Sequence, residues 1–212
     1  YHQKMRELVE RGVIGEVVMA RAQFTCWYPE IENCWRQNQS LSGGGAMLDM
    51  AIHSIDLIRY ITGLEIAESA GMIGNQIFGY SVEDAGVGVY KMSNGALSVV
   101  DSAFNIPDDA SVAKLEIYGT KGSMVAKGTL SQEEGGTLEV LAIDDAKGYD
   151  AEQNRSTVKP MPIEVTFGNM YTKEIECFGK AIAGEGKIPV TAEDAILSQK
   201  AIEDVYGFAK KR

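Results

Sequence analysis

Apolar positions recur at helical spacing in four stretches of the chain and alternate with polar ones in several others. Residues 3–11 place Met5, Leu8 and Val9 on one face, and Gly12 follows as a stop signal. Residues 46–62 are the most helix-like segment, opened by Gly43-Gly44-Gly45 and closed by Gly63. Residues 171–183 carry Ile175, Phe178 and Ile182 on one stripe and end at Gly184. Residues 191–210 open on Thr191-Ala192-Glu193-Asp194, a relative of the capping box. Ala195, Ile196, Ile202, Val205 and Phe208 supply the apolar face of that last helix.

Between the helices the pattern is that of strands. Residues 15–27, 86–92, 96–104, 112–118, 123–126 and 138–143 read as short extended segments. Ser93-Asn94-Gly95 predicts a hairpin, because Asn-Gly tolerates the positive φ values of a type I′ turn. A second hairpin is expected around residues 119–122. Residues 29–42 form a polar connection, and residues 144–159 read as a long surface loop. Strands joined by hairpins, with helices kept apart from them, predict an α+β fold. The expected form is an open, mostly antiparallel β-sheet with helices on one face.

Composition narrows the function. The 212 residues carry a formal charge of −10 and no basic stripe; Lys210-Lys211-Arg212 reads as a solvated helix end. Nucleic acid is therefore not the expected partner. No apolar run approaches the roughly 18 residues of a membrane helix, and the polar start carries no secretory leader signal. Three cysteines without paired spacing, Cys26, Cys34 and Cys177, read as free thiols in a reducing cytoplasm. The first helix begins abruptly at Tyr1, so the chain is expected to start inside something larger.

One constellation carries chemistry. Along residues 46–62, Asp49, His53, Asp56 and Tyr60 fall on one narrow stripe, and the other faces are apolar. Such a helix is expected to be buried, its polar stripe paired or lining a cavity. His53 suits proton transfer near neutral pH, and Asp49, one turn earlier, could bond its imidazole. The glycines ahead would let a substrate or cofactor approach the backbone. A satisfied structural Asp–His pair fits the same spacing. So does a metal reading of Asp49, His53 and Asp56, although no second His or Cys stands near to complete a ligand set, and no metal is assigned. Trp35-Arg36 could grip a sugar face and a hydroxyl, or be a covering Trp beside a surface Arg.

From Gly43-Gly44-Gly45-Ala46-Met47-Leu48-Asp49 through His53 and Asp56, the sequence resembles the C-terminal domain of the glucose–fructose oxidoreductase / inositol dehydrogenase / MocA family. Trp35-Arg36, Gly12-Val13-Ile14-Gly15-Glu16-Val17, Gly119-Thr120-Lys121-Gly122-Ser123 and residues 189–200 extend the likeness over nearly the whole chain.

The resemblance implies an NAD- or NADP-dependent oxidoreductase acting on a sugar, polyol or related carbinol. Residues 1–14 would be the remnant of the last helix of a missing Rossmann domain, and residues 15–212 the substrate-binding and oligomerisation domain. It implies His53 and Asp49 as catalytic residues and Trp35, Arg36, Asp49 and His53 around the substrate. Gly43 and Gly44 would lie beside a cofactor held by the other half, and Asp56 would be mainly structural.

Two departures stand out. No Gly-x-Gly-x-x-Gly follows a strand and no Glu-Lys-Pro occurs, so activity in isolation is not expected; and Ala51 stands where the family usually has Gly. Specificity would lie in residues 28–42 and 104–110. A cytoplasmic homodimer or homotetramer, formed through the open sheet face, is the expected assembly. The alternatives are a non-catalytic dimerisation module of the same fold and a metal-dependent sugar isomerase or hydrolase.

Overall fold

The computed structural model describes residues 1–143, 151–152 and 158–210. Most of the polar stretch 144–159, expected as a surface loop, lies outside the described residues.

Among the described residues the sheet has eight strands: β1 (Val17–Gln23), β2 (Ile66–Gly74), β3 (Ala85–Met92), β4 (Leu97–Ala103), β5 (Lys114–Gly119), β6 (Gly122–Lys127), β7 (Thr137–Ala142) and β8 (Met161–Pro162). Their order is β2-β3-β4-β1-β5-β6-β7-β8. Every pairing is antiparallel except β1 with β4, which run parallel with Met19 opposite Leu97 and Gln23 opposite Asp101. A parallel pair needs a long crossover, and here the chain between β1 and β4 includes the helix bearing the candidate residues. The α+β architecture and the open, mostly antiparallel sheet are as the sequence predicts.

The helices are α1 (His2–Glu10), α2 (Gln39–Ser42), α3 (Ile52–Thr62), α4 (Met170–Ile182) and α5 (Ala192–Ala209). Three of them build the core. Met5 and Leu8 of α1, Ile55, Ile58 and Ile61 of α3, and Ile202 and Val205 of α5 are buried together with Ala20, Ala22, Leu115, Ile117, Met124 and Val140 of the sheet. Thus α1 is part of this core. The alanines of β1 let α3 lie close over the centre of the sheet.

The two faces of β3 show why the sheet is one-sided. Gly86, Gly88, Tyr90 and Met92 alternate with the outward Val87, Val89 and Lys91. A Cβ on Gly86 would stand 2.4 Å from Met47 Cγ, and one on Gly88 would stand 2.1 Å from the Tyr90 hydroxyl. The inner face therefore gives up side chains to admit its neighbours. The outer face leaves Met72, Val87, Val89 and Leu97 exposed.

Several expectations need correction. The hairpin after β3 is not type I′, because Asn94 keeps a negative φ. Gly95 N–H bonds Met92 C=O at 2.8 Å, and Gly95 alone takes the left-handed conformation, with φ of 89°. The Asn94 side chain explains the choice: its amide donates to Val17 C=O and its oxygen accepts from Ala96 N–H, both at 2.9 Å. Strands β2 and β8 had no periodic signal, since β2 reads Ile-Ala-Glu-Ser-Ala-Gly-Met-Ile-Gly and β8 has two residues. The polar connection holds a 3-10 turn at Trp35–Gln37 and the short α2. The helix of residues 46–62 is interrupted: Met47–Ala51 is a π turn, and α3 proper starts at Ile52. That helix is also not buried all round, since His53 is exposed and Asp49, Met50, Ile52 and Leu57 are half-buried.

Candidate active site

The start of the site helix is held by a residue far away in sequence. Glu83, buried between β2 and β3, accepts the N–H groups of Gly45 at 2.9 Å and Met47 at 3.0 Å. A third donor to the carboxylate is the Tyr206 hydroxyl of α5, at 2.6 Å, and the Glu83 carbonyl accepts Ala46 N–H at 3.1 Å. A carboxylate at a helix N-terminus satisfies donors that have no intrahelical partner and complements the helix dipole. Burial, together with the neighbouring Glu83 charge, raises the Tyr206 phenol, which stays a donor.

This arrangement accounts for two of the three glycines. A Cβ on Gly45 would lie 2.0 Å from the Glu83 carbonyl oxygen, and one on Gly44 would lie 2.2 Å from the Tyr206 hydroxyl. Gly43 differs: it is exposed and closes α2 in the left-handed region, with φ of 82°.

Asp49 sits on the π turn, a distortion that often marks functional sites. Its carboxylate faces Arg36, with Nε and Oδ1 3.8 Å apart, and the Arg36 guanidinium lies 4.8 Å from the centre of the Trp35 ring. Trp35 is 53% exposed. One turn on, His53 projects from α3 with the Phe24 ring 6.2 Å away, edge to face. The structure thus puts Asp49, Arg36 and Trp35 in one group, with His53 next along the same helix.

The expected Asp49–His53 hydrogen bond is not formed: among the described residues the His53 ring nitrogens have no hydrogen-bond partner. The polar stripe diverges: Asp49, on the π turn, faces Arg36. Farther along, Asp56 turns to α5, where its carboxylate accepts the Ser198 hydroxyl at 3.3 Å, and burial raises its pKa. Tyr60 turns to α1, its ring under the Arg6 guanidinium. Asp49, His53 and Asp56 therefore do not converge on one point. Among the described residues no group of three or more His, Cys, Asp and Glu could hold a metal ion.

Sequence reasoning missed Cys26, Trp27, Phe78 and Tyr80 around this site, although Tyr28 and Asp108 fall in the ranges expected to set specificity. Past the end of β1, the N–H groups of Phe24, Cys26 and Tyr28 bond the carbonyls of Asp101, Ala103 and Phe104 at 3.2, 2.9 and 2.8 Å. This run carries Cys26 and Tyr28 beside the π turn. Burial first, then Asp108 and Asp49, pushes the Cys26 thiol up to about 11. Burial and the Cys34 contact push the Tyr28 phenol up to about 12. Both remain protonated at neutral pH. Asp108 also accepts Trp27 N–H at 2.9 Å, and Trp27 meets Phe78, which stacks on Tyr80. The closely set aromatics at 24, 27 and 28 were the available signal.

Asp84, next to Glu83, is fully buried. Burial alone would raise its pKa, but the backbone N–H groups of Ile77, Gln76 and Phe78 hold it below the usual carboxylate range. It fixes the aromatic wall and is remote from Asp49 in bonding. Buried Arg59 is likewise structural, tying α3 to Glu65, to Ser198 and to the Asp194 carbonyl.

Among the described residues no helix is long and apolar enough to cross a membrane. The chain is 25% identical over 198 residues to 1,5-anhydro-D-fructose reductase of Ensifer adhaerens, covering 93% of this chain and 55% of that protein. It is 26% identical over 224 residues to levoglucosan dehydrogenase of Pseudarthrobacter phenanthrenivorans, covering 89% of this chain and 56% of the relative. The fold matches aldose-aldose oxidoreductase of Caulobacter crescentus complexed with glycerol, with a TM-score of 0.83 at 21% identity over 99% of this chain and 58% of that one. The chain thus spans a little over half the length of the relatives it matches. The sequence pattern of the GFO/IDH/MocA C-terminal domain matches residues 2–125, and the chain belongs to that family.

Proposed function

We propose that this chain is the substrate-binding half of an NAD(P)-dependent oxidoreductase acting on a sugar, polyol or related carbinol. The observation that carries the reading is the placement of the half-buried Asp49 and the exposed His53 on a helical segment whose other face is locked into the core. His53, which has no hydrogen-bond partner among the described residues, is free to meet a ligand from this anchored element, and its position is fixed by packing. The relatives point to the same chemistry.

Hydride chemistry would be supplied by a nicotinamide held by a nucleotide-binding half. His53 takes the carbinol proton at one imidazole nitrogen, which has no hydrogen-bond partner among the described residues. Asp49 accepts a hydrogen bond from a substrate hydroxyl while Arg36 balances its charge. Trp35, stacked on Arg36, offers an apolar face to the ring of a sugar. Gly43 is the one glycine of the three with open backbone, and it forms this chain's edge toward the cofactor; Gly44 and Gly45 are packed beneath Tyr206 and Glu83. Among the described residues there is no strand–glycine loop–helix cradle for pyrophosphate, and under this proposal hydride transfer is expected only with the nucleotide-binding half joined.

The test joins an NADH-binding domain ahead of Tyr1 and follows NAD(P)H absorbance with sugars and polyols. Turnover that disappears in His53→Ala supports the reading, and undiminished turnover in that variant overturns it.

A second reading is favoured by the outer sheet face, where Met72, Val87, Val89 and Leu97 are exposed side by side. We propose that this face joins two copies, giving a homodimer or homotetramer. Sedimentation of a monomer at micromolar concentration would count against it. A cytoplasmic location, in keeping with the free thiols, belongs to the same proposal.

A further inference from the structure

Nothing at the level of its own side chain fixes Asp49. Among the described residues its carboxylate accepts no hydrogen bond, and its ion pair with Arg36 is 3.8 Å long with both side chains partly exposed. Such a pair contributes little. The place of Asp49 is therefore set by its backbone, whose N–H donates to Gly45 C=O at 2.9 Å at the head of the π turn. A π turn is a rare geometry, found mostly where function requires it.

Glu83 holds that backbone. Three successive N–H groups end on this single residue: Gly45 on Oε2 at 2.9 Å, Ala46 on the carbonyl at 3.1 Å and Met47 on Oε1 at 3.0 Å. The Tyr206 hydroxyl donates to the same Oε1 that holds Met47. Glu83 is fixed in turn, because Asp84 beside it donates its N–H to Gly74 C=O at 3.1 Å and accepts Phe104 N–H at 2.7 Å. Glu83 is 6% exposed, and among the described residues no Lys or Arg pairs with its carboxylate. Burying a carboxylate without a cation is costly. What it supplies here is direction, since strong, short bonds from several donors converge on one rigid acceptor.

We propose that Glu83 and Tyr206 are positioning residues: Tyr206 sets the Glu83 carboxylate, Glu83 sets the backbone of residues 45–47, and that backbone aims Asp49 at the Arg36–Trp35 stack. The role in turnover rests on the reading of Asp49 as the carboxylate that meets a substrate hydroxyl. It gives α5, which carries none of the substrate contacts, a hold on the site.

The first test uses this chain labelled with 5-fluorotryptophan. Its two tryptophans, Trp27 and Trp35, give two fluorine signals, assigned with Trp35→Phe. Asp49→Asn is expected to move the Trp35 signal through Arg36 and to leave that of Trp27 in place. In the Tyr206→Phe background, which keeps the ring and loses only the hydroxyl, the same substitution is expected to move the Trp35 signal less than half as far. Glu83→Gln should diminish it further, and if that variant fails to fold, Tyr206→Phe decides alone. An equal displacement in the parent and in Tyr206→Phe overturns the proposal. The second test uses the fusion carrying an NADH-binding domain. There Tyr206→Phe is expected to lower kcat several-fold with KM and NADH affinity unchanged, and to have no further effect once Asp49 is Asn. Losses that multiply in the double variant overturn the positioning role, because Tyr206 would then act elsewhere than through Asp49. A fusion that oxidises no sugar or polyol defeats the functional reading instead, and the fluorine signals still decide whether Glu83 and Tyr206 hold Asp49.

Discussion

Helices α3 and α4 carry the same kind of apolar stripe and meet opposite fates. In α3, Ile55, Ile58 and Ile61 are at most 2% exposed, packed among α1, α5 and the alanines of β1. In α4, Ile175, Phe178 and Ile182 lie in the open. Spacing alone distinguishes helix from strand; it does not say whose surface completes the core. The contrast also divides labour. The covered helix holds His53, and the π turn just ahead of it holds Asp49, in fixed positions, whereas the stripe of α4 stays exposed.

The contrast can be broken most severely at the anchor of the covered helix. Glu83→Ala leaves the N–H groups of Gly45 and Met47 and the Tyr206 hydroxyl without their acceptor. A loss of about 3 kcal/mol or more is expected in urea unfolding, as for several buried polar groups left unsatisfied. Next comes the direct comparison of stripes. Ile58→Ala should cost about 3 kcal/mol in the same assay by opening a cavity. Ile175→Ala should stay within about 0.5 kcal/mol in the chain alone, as exposed substitutions do. Equal losses would erase the distinction drawn between the two helices. Smaller still, Arg36→Ala removes an exposed ion pair and should change stability by no more than about 0.5 kcal/mol, yet weaken sugar binding in a cofactor-bearing fusion.

Asp56 sharpens the comparison through pH. Burial raises its folded pKa, so its contribution favours folding at acidic pH and is lost as pH rises through that value. Asp56→Asn should therefore stabilise the chain slightly at neutral pH and bring no gain below the ordinary carboxylate range. Unfolding midpoints across pH check this.

The sheet class and the long helices were legible because their periodicity is local. Thr191 and Asp194 likewise form the reciprocal cap that their spacing suggested. What stayed hidden depends on distant partners. Strand β2 mixes Gly, Ser and Glu and becomes a strand because β3 pairs along its length. The glycines at 44 and 45 read as room for a ligand, whereas Glu83 and Tyr206 fill that room. Asp49 and His53 were identified from one-turn spacing, but the π turn that carries Asp49 has no signature in the residues themselves. Trp35-Arg36 was read as a pair, and the stacking of guanidinium on indole bears out their proximity without assigning a ligand.

The central claim is that His53 moves the proton once a nicotinamide is supplied from another domain. The most direct measurement is single-turnover hydride transfer, by NADH absorbance, in a fusion carrying an NADH-binding domain, comparing His53 with His53→Asn. The account predicts that hydride transfer slows by about 100-fold or more, the usual range for a general acid–base, with NADH affinity unchanged. Equal rates in the two proteins would contradict it.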